Sequence, residues 1–195
     1  GLVGLAGPIP RSDLVMAAID LLLRASGLER HAISGAVATR GPGSFTGIRV
    51  ALATAQGLVA ALGIPAHGYS SLLAQARRSA SLPCLAVQPA RRGHVYAQVF
   101  LPDGDSMLPE GDPRVIGIDE LATSRYPGVA PVGLTLPPAV GIAPTRESAA
   151  EARLSLLAAE PVPDSTTLTP IYLEPPPALA VSPRTTPWPP SPQGS

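Results

Sequence analysis

The sequence predicts an α/β fold, and three observations carry that prediction. Short apolar runs with the length of buried strands alternate with longer segments in which apolar residues recur at helical spacing. Turns rich in glycine and proline separate the two kinds of segment. Hydrophobic residues make up 45% of the 195 residues and charged residues only 14%, so the chain can bury a sizeable core.

The first predicted element is an amphipathic helix over residues 11–26. Ser12 or Asp13 can cap its N-terminus, Gly27 is a good C-terminal stop, and apolar residues recur along one face. A short buried strand over 33–38 is predicted to follow this helix.

The next predicted helix spans 45–62 and is apolar almost all round. Such a helix is expected to be buried on two sides, one of them against a sheet. The second side is expected to meet either a neighbouring helix or a partner chain, and the residues alone favour a helix of the same chain.

The rest of the chain continues the alternation up to a proline-rich end. The further predicted elements are a helix over 70–79, strands over 82–88, 93–101 and 114–118, a helix over 118–124, a strand over 129–134 and a helix over 145–159. In strand 93–101, Val95, Ala97 and Val99 are predicted on one face and Tyr96, Gln98 and Phe100 on the other. The proline-rich segment 175–195 is predicted to be disordered or extended, because it cannot form a packed core.

The turn between strand 33–38 and helix 45–62 is the most informative segment. It consists of Gly41, Pro42, Gly43, Ser44, Phe45, Thr46 and Gly47. Ser44 is a plausible N-cap, and free N–H groups at a helix start can bind an anion. The spacing matches neither the dinucleotide-binding fingerprint nor the P-loop. The residues therefore favour a tight packing turn and leave a phosphate-binding turn as the alternative.

Three segments resemble the bacterial TsaB (YeaZ) family of tRNA threonylcarbamoyladenosine biosynthesis proteins. Residues 40–72 resemble its signature, residues 88–96 its D-A-R-R-G-E-V-Y strand start, and residues 169–174 its closing P-x-Y-L-R. They occur in the family's order and cover about residues 10–178.

The resemblance implies an actin-like ATPase (ribonuclease-H-like) fold of two related lobes. We expect the lobes at residues 1–88 and 89–174, followed by the tail 175–195. The family's usual N-terminal hairpin with an L-A-[IL]-D-T-S motif is not recognisable in the sequence, so the first lobe is expected to be incomplete at its N-terminus.

The resemblance further implies a non-catalytic dimerisation subunit that binds and activates a TsaD-type catalytic subunit. That subunit transfers a threonylcarbamoyl group to N6 of adenosine 37 in tRNA, so tRNA is expected to be reached only through the complex. A TsaE-type ATPase partner and self-association in the absence of the partner are also implied. The predicted partner-binding residues are Leu14, Ala18, Leu22, Ala51, Ala55 and Leu58.

Two other function classes stay open at this point. A nucleotide-binding enzyme of the actin-like kinase or carbamoyltransferase group would use residues 41–47 as a phosphate cradle. A free-standing scaffold would recruit another protein through its proline-rich tail.

Composition weighs against several other functions. The formal net charge is zero and the fourteen basic residues are scattered arginines, so no stripe suited to a phosphate backbone is visible. No catalytic residue, metal site or cofactor is predicted, because His31, His67 and His94 lie far apart and Ser44 does not stand in a G-x-S-x-G motif. Cys84 lies in an apolar run and is predicted to be buried. No apolar stretch is expected to cross a membrane, and a cytoplasmic location is expected.

Overall fold

The computed structural model describes residues 3, 11–91, 93–104, 106–122, 129–133 and 168–174. In chain order, the elements are α1 (Arg11–Ala25), a short 3-10 helix (Arg30–Ala32), β1 (Ala36–Gly41), α2 (Phe45–Leu62), β2 (Ala66–Ser70), α3 (Ser71–Ala76), β3 (Cys84–Pro89), β4 (His94–Asp103), β5 (Ser106–Gly117), α4 (Ile118–Ala122) and β6 (Ala130–Gly133).

The described strands form two sheets. β1 and β2 pair in parallel, with Ala36 opposite Ala66, and α2 is the crossover between them. The second sheet has the strand order β5-β4-β3-β6. In it β4 runs antiparallel to both β3 and β5, whereas β6 runs parallel to β3.

Helix α2 covers one face of the first sheet. Its buried residues Ile48, Leu52 and Ala55 form a core cluster with Ala38 of β1 and Ala66 of β2. The helix ends where Gly63 takes a left-handed conformation with φ 66°, which glycine adopts without strain. Helix α1 packs on α2, and none of its described side chains is fully buried.

The second sheet carries a core on each face. Tyr96 and Phe100 of β4 meet Leu72 and Ala76 of α3 on one face. The opposite face is a cluster of Leu85, Val87, Val95, Ala97 and Ile116. Helix α3 also reaches the first sheet, where Ala74 packs with Tyr69 of β2. This short helix therefore lies between the two sheets.

Most predicted elements are confirmed, α2 with the predicted bounds. The alternation predicted for β4 is also confirmed, since the side chains of the two faces fall into different core clusters. The predicted helix over 145–159 and the tail 175–195 lie outside the described residues.

Two strands differ clearly from the prediction. β1 covers Ala36–Gly41 instead of 33–38, because a 3-10 turn precedes it and pairing with β2 starts at Ala36. β5 is 12 residues long, where a strand over 114–118 was predicted. Its backbone pairs with β4 along the edge of the sheet, where prolines and polar residues are tolerated.

The break between the two sheets falls before β3. All of β3 pairs with β4, so Cys84–Pro89 belongs to the second sheet. The division of the whole chain into two related lobes stays a prediction.

From the sequence, no apolar stretch is expected to cross a membrane, and helix α2 corrects this expectation. Its 18 residues have a mean hydropathy of 1.4, so length and composition alone would allow it to cross a membrane. Three of its residues are buried in the core that it shares with β1 and β2.

Candidate functional site

The glycine-rich turn connects β1 to α2 and is enclosed at its start. Gly41 and Pro42 are buried, and the peptide bond between them is cis. Ser44 caps α2, its Oγ accepting a 3.2 Å hydrogen bond from the N–H of Gly47. The N–H of Ile48 donates to the carbonyl of Ser44 at 2.9 Å. These helix-start groups are therefore engaged within the turn itself.

Residues 168–174, here called the closing segment, lie directly against this turn. The N–H of Ile171 donates a 2.8 Å hydrogen bond to the carbonyl of Arg40, and Arg40 Nε donates to the carbonyl of Thr169 at 2.6 Å. A Cβ atom added at Gly41 would lie 2.8 Å from the Ile171 carbonyl oxygen and 2.7 Å from Ile48 Cδ1. The glycine therefore allows the close approach of the closing segment, which supports a packing turn over a phosphate cradle.

An aromatic and cationic cluster joins the closing segment to the first turn of α2. The rings of Tyr172 and Phe45 have centroids 5.1 Å apart, within the range of favourable aromatic pairs. The guanidinium carbon of Arg49 lies 4.0 Å from the Phe45 centroid, and Arg49 Nε donates to the Tyr172 hydroxyl at 3.1 Å. Tyr172 remains 40% exposed, so the cluster forms part of the surface.

A second anchor joins the closing segment to the other sheet. The Tyr96 hydroxyl donates a 2.6 Å hydrogen bond to Oε2 of Glu174. Burial of Tyr96, reinforced by the hydrogen bond and the charge of Glu174, raises its pKa to about 12.

The predicted partner-binding residues do not share one free surface. Leu14, Ala18 and Leu22 of α1 are half-buried, as are Ala51 and Leu58 of α2. Ala55 is 4% exposed and belongs to the core. A charge placed at Ala55 would therefore disturb the core, because this residue faces the sheet and not a partner.

The exposed residues of α2 are Thr46, Gly47, Arg49, Ala53, Gln56, Gly57, Ala60 and Ala61. Among them, Arg49, Ala53, Gly57 and Ala60 share a face that lies about a third of a turn or more from Ala51, Ala55 and Leu58. Helical spacing placed apolar residues in rows but could not show which row meets the sheet. Contact of a partner with either helix stays a prediction.

Sequence reasoning missed the exposed apolar side chains around α1. Met16 and Leu21 are each 56% exposed, and Leu28, just after the helix, is 51% exposed. It also missed the contacts of Arg40, Arg49 and Glu174. The closing segment is about 130 residues from Arg40 in sequence, and no local pattern indicates such a contact.

Groups suited to acid–base or metal chemistry do not converge in the described parts of the chain. There, no group of three or more His, Cys, Asp or Glu side chains is placed to hold a metal ion. His31 lies in the 3-10 helix, His67 packs edge-on against Tyr69 with centroids 4.4 Å apart, and His94 begins β4. Cys84 is 1% exposed, and this burial raises the pKa of its thiol to about 11.

Comparison with known proteins agrees with this architecture. A family model described as TsaD, tRNA N6-adenosine threonylcarbamoyltransferase, matches residues 11–138, more than half of the chain. The solved structure of a Pseudomonas aeruginosa protein, described as uncharacterised and similar to the peptidase YeaZ, superimposes with a TM-score of 0.62. It is 23% identical and covers 86% of each chain, which shows the fold. That fold is the actin-like ATPase (ribonuclease-H-like) fold.

Two curated relatives share the name tRNA threonylcarbamoyladenosine biosynthesis protein TsaB. The Escherichia coli protein is 33% identical over 93 residues, which is 46% of this chain and 40% of the relative. The Haemophilus influenzae protein is 36% identical over 86 residues, 42% of this chain and 36% of the relative. Each match thus spans less than half of the relative's length. Taken with the match over residues 11–138, these similarities establish that the chain belongs to the TsaD-related family and is a TsaB (YeaZ) family protein.

Proposed function

We propose that this chain is a non-catalytic subunit that binds and activates a TsaD-type catalytic subunit in the biosynthesis of threonylcarbamoyladenosine at position 37 of tRNA. The names of the E. coli and H. influenzae relatives support the pathway. Contact with tRNA through the complex, an ATPase partner of the TsaE type, self-association when the partner is absent and a cytoplasmic location belong to the same proposal.

The observation that carries the proposal is the apolar surface of the α1–α2 pair. Met16 and Leu21 expose more than half of their surface, and the other large apolar residues of α1 are only half-buried. Exposed apolar side chains of a helix can form an interaction site when a partner covers them. A partner that covers it would complete the burial that α1 lacks.

The exposed face of α2 suits close packing of a partner helix. Ala53, Gly57 and Ala60 are small and follow helical spacing. A Cβ atom added at Gly57 would meet no atom within 4 Å, so the space above this residue is open. We therefore place the centre of the partner surface at Gly57, with Leu14, Ala18 and Leu22 of α1 at its edge.

The test is co-expression with the TsaD-type subunit of the same source, followed by size-exclusion chromatography with light scattering. The wild-type chain is expected to form a one-to-one complex. Gly57→Glu is expected to abolish it, because a charge buried without a partner costs several kcal/mol. Leu108→Glu is the matched control, since Leu108 is 55% exposed on β5 of the other sheet.

A further inference from the structure

The closing segment touches both cores of the protein within seven residues. Leu168 is 5% exposed and belongs to the cluster formed by α2, β1 and β2. Leu173 packs against the cluster that α3 forms with β3 and β4. The neighbouring Glu174 accepts the 2.6 Å hydrogen bond from Tyr96. The segment is therefore anchored at one end to the first sheet and at the other end to the second.

Between these anchors, the segment holds the end of β1 and the start of α2. The segment makes two hydrogen bonds with Arg40. The N–H of Ile171 donates to the Arg40 carbonyl, and the Arg40 side chain donates to the Thr169 carbonyl. Tyr172 then contacts both Phe45 and Arg49 in the first turn of α2. These side chains lie at the surface, where water competes with polar contacts, so the aromatic pair is the main attachment at this point.

Arg49, which donates a hydrogen bond to Tyr172, lies on the exposed face of α2. Arg49, Ala53 and Gly57 follow one another at intervals of four residues and so share that face. A change in the position of the first turn would therefore shift the proposed partner surface as a whole, because a helix moves as a stiff element.

We propose that the closing segment is a clamp that positions α2 for partner binding, with Tyr172 as the positioning residue. This inference rests on the proposed function, because it assigns a determinant of affinity to the same α2 surface. It makes the affinity for the partner depend on residues of the second sheet that lie away from α2.

The experiment combines hydrogen–deuterium exchange on the isolated chain with titration of the TsaD-type subunit. Tyr172→Ala is expected to speed amide exchange over 45–49 and to raise the Kd by about three- to tenfold. Tyr172→Phe keeps the ring and is expected to restore most of the affinity. Leu108→Ala, on the other sheet, is the control and is expected to change neither quantity.

A variant away from α2 separates positioning from direct contact. Glu174→Gln weakens the anchor on Tyr96 and leaves Tyr172 in place, and it is expected to raise both the exchange over 45–49 and the Kd. Unchanged exchange in Tyr172→Ala overturns the clamp, even if the Kd rises, because Tyr172 would then be a direct contact. Faster exchange with an unchanged Kd overturns the link to binding. Failure of the wild-type chain to bind contradicts the proposed function, and the exchange measurement still decides whether the clamp exists.

Discussion

Tyr96 donates a 2.6 Å hydrogen bond to Glu174, although the two residues are 78 positions apart in the chain. Tyr96 lies on β4 of the second sheet and is 7% exposed. Glu174 ends the closing segment, which begins with Leu168 in the core of the first sheet. The bond therefore fastens a segment that starts in the core of the first sheet onto an inner strand of the second sheet.

Tyr96→Phe removes the donor and leaves the Glu174 carboxylate half-buried. We expect the free energy of unfolding to fall by about 1.5–3 kcal/mol, since a hydrogen bond to a charged group contributes about that much. The measurement is urea denaturation of Tyr96→Phe, Glu174→Gln and the double variant. A coupling energy near zero in this double-mutant cycle would contradict the importance of the bond.

The pKa of Tyr96 predicts how stability depends on alkaline pH. Its pKa rises from the ordinary value of 10.0 to about 12 in the folded protein, chiefly through burial. Between these values the folded state binds more protons than the unfolded state, so the free energy of unfolding falls as pH rises. The contribution is fully present below pH 10.0 and is lost through about pH 12. Denaturant titrations across this range are expected to show a shallower decline for Tyr96→Phe than for the wild type, and equal slopes would contradict the assignment.

Cys84 is expected to be unreactive in the folded protein. Its Sγ lies 4.0 Å from the carbonyl oxygen of Ala76, and burial raises the pKa of the thiol from 9.0 to about 11. Alkylation by iodoacetamide at pH 8 is therefore expected only as fast as the protein opens, since the thiolate is the nucleophile. Rapid alkylation that does not slow with increasing protein stability would show that Cys84 is accessible.

The raised pKa of Cys84 also affects stability at alkaline pH. Between pH 9.0 and about 11 the thiol stays protonated in the folded state and ionises in the unfolded state, so the free energy of unfolding falls as pH rises.

Gly41 at the end of β1 and Gly57 within α2 are expected to respond in opposite ways to alanine. At Gly41, φ is 101° and an added Cβ meets Ile48 and the Ile171 carbonyl, so we expect Gly41→Ala to cost about 2 kcal/mol or more. At Gly57 the space is open within a helix, and Gly57→Ala is expected to stabilise the fold by about 0.5–1 kcal/mol. Thermal unfolding of both variants is the measurement. Equal effects would mean that the closing segment does not pack tightly on the turn.

The sequence predicted local elements better than the contacts between distant ones. The bounds of α2 followed from its long apolar pattern and from Ser44 as its N-cap, and the structure ends the helix at Gly63. The period-two pattern of β4 also predicted correctly which of its side chains lie on the same face of the sheet. Both features depend on residues close together in the chain.

The missed features depend on partners that are distant in sequence. β5 contains prolines and charges that hide its period, and its strand character comes from pairing with β4. Ala55 seemed available for a partner because helical spacing alone cannot distinguish the row that faces β1 from the exposed row. The contacts of Arg40 with Thr169 follow from the fold and not from any local motif.

The central claim is that the α1–α2 surface binds a TsaD-type subunit, and light scattering of the co-expressed chains tests it most directly. A one-to-one complex with the wild-type chain and with Leu108→Glu, together with its loss in Gly57→Glu, is the predicted result. A complex that forms equally well with Gly57→Glu would contradict the assigned surface. Separate elution of the folded wild-type chain and the TsaD-type subunit would contradict the proposed function itself.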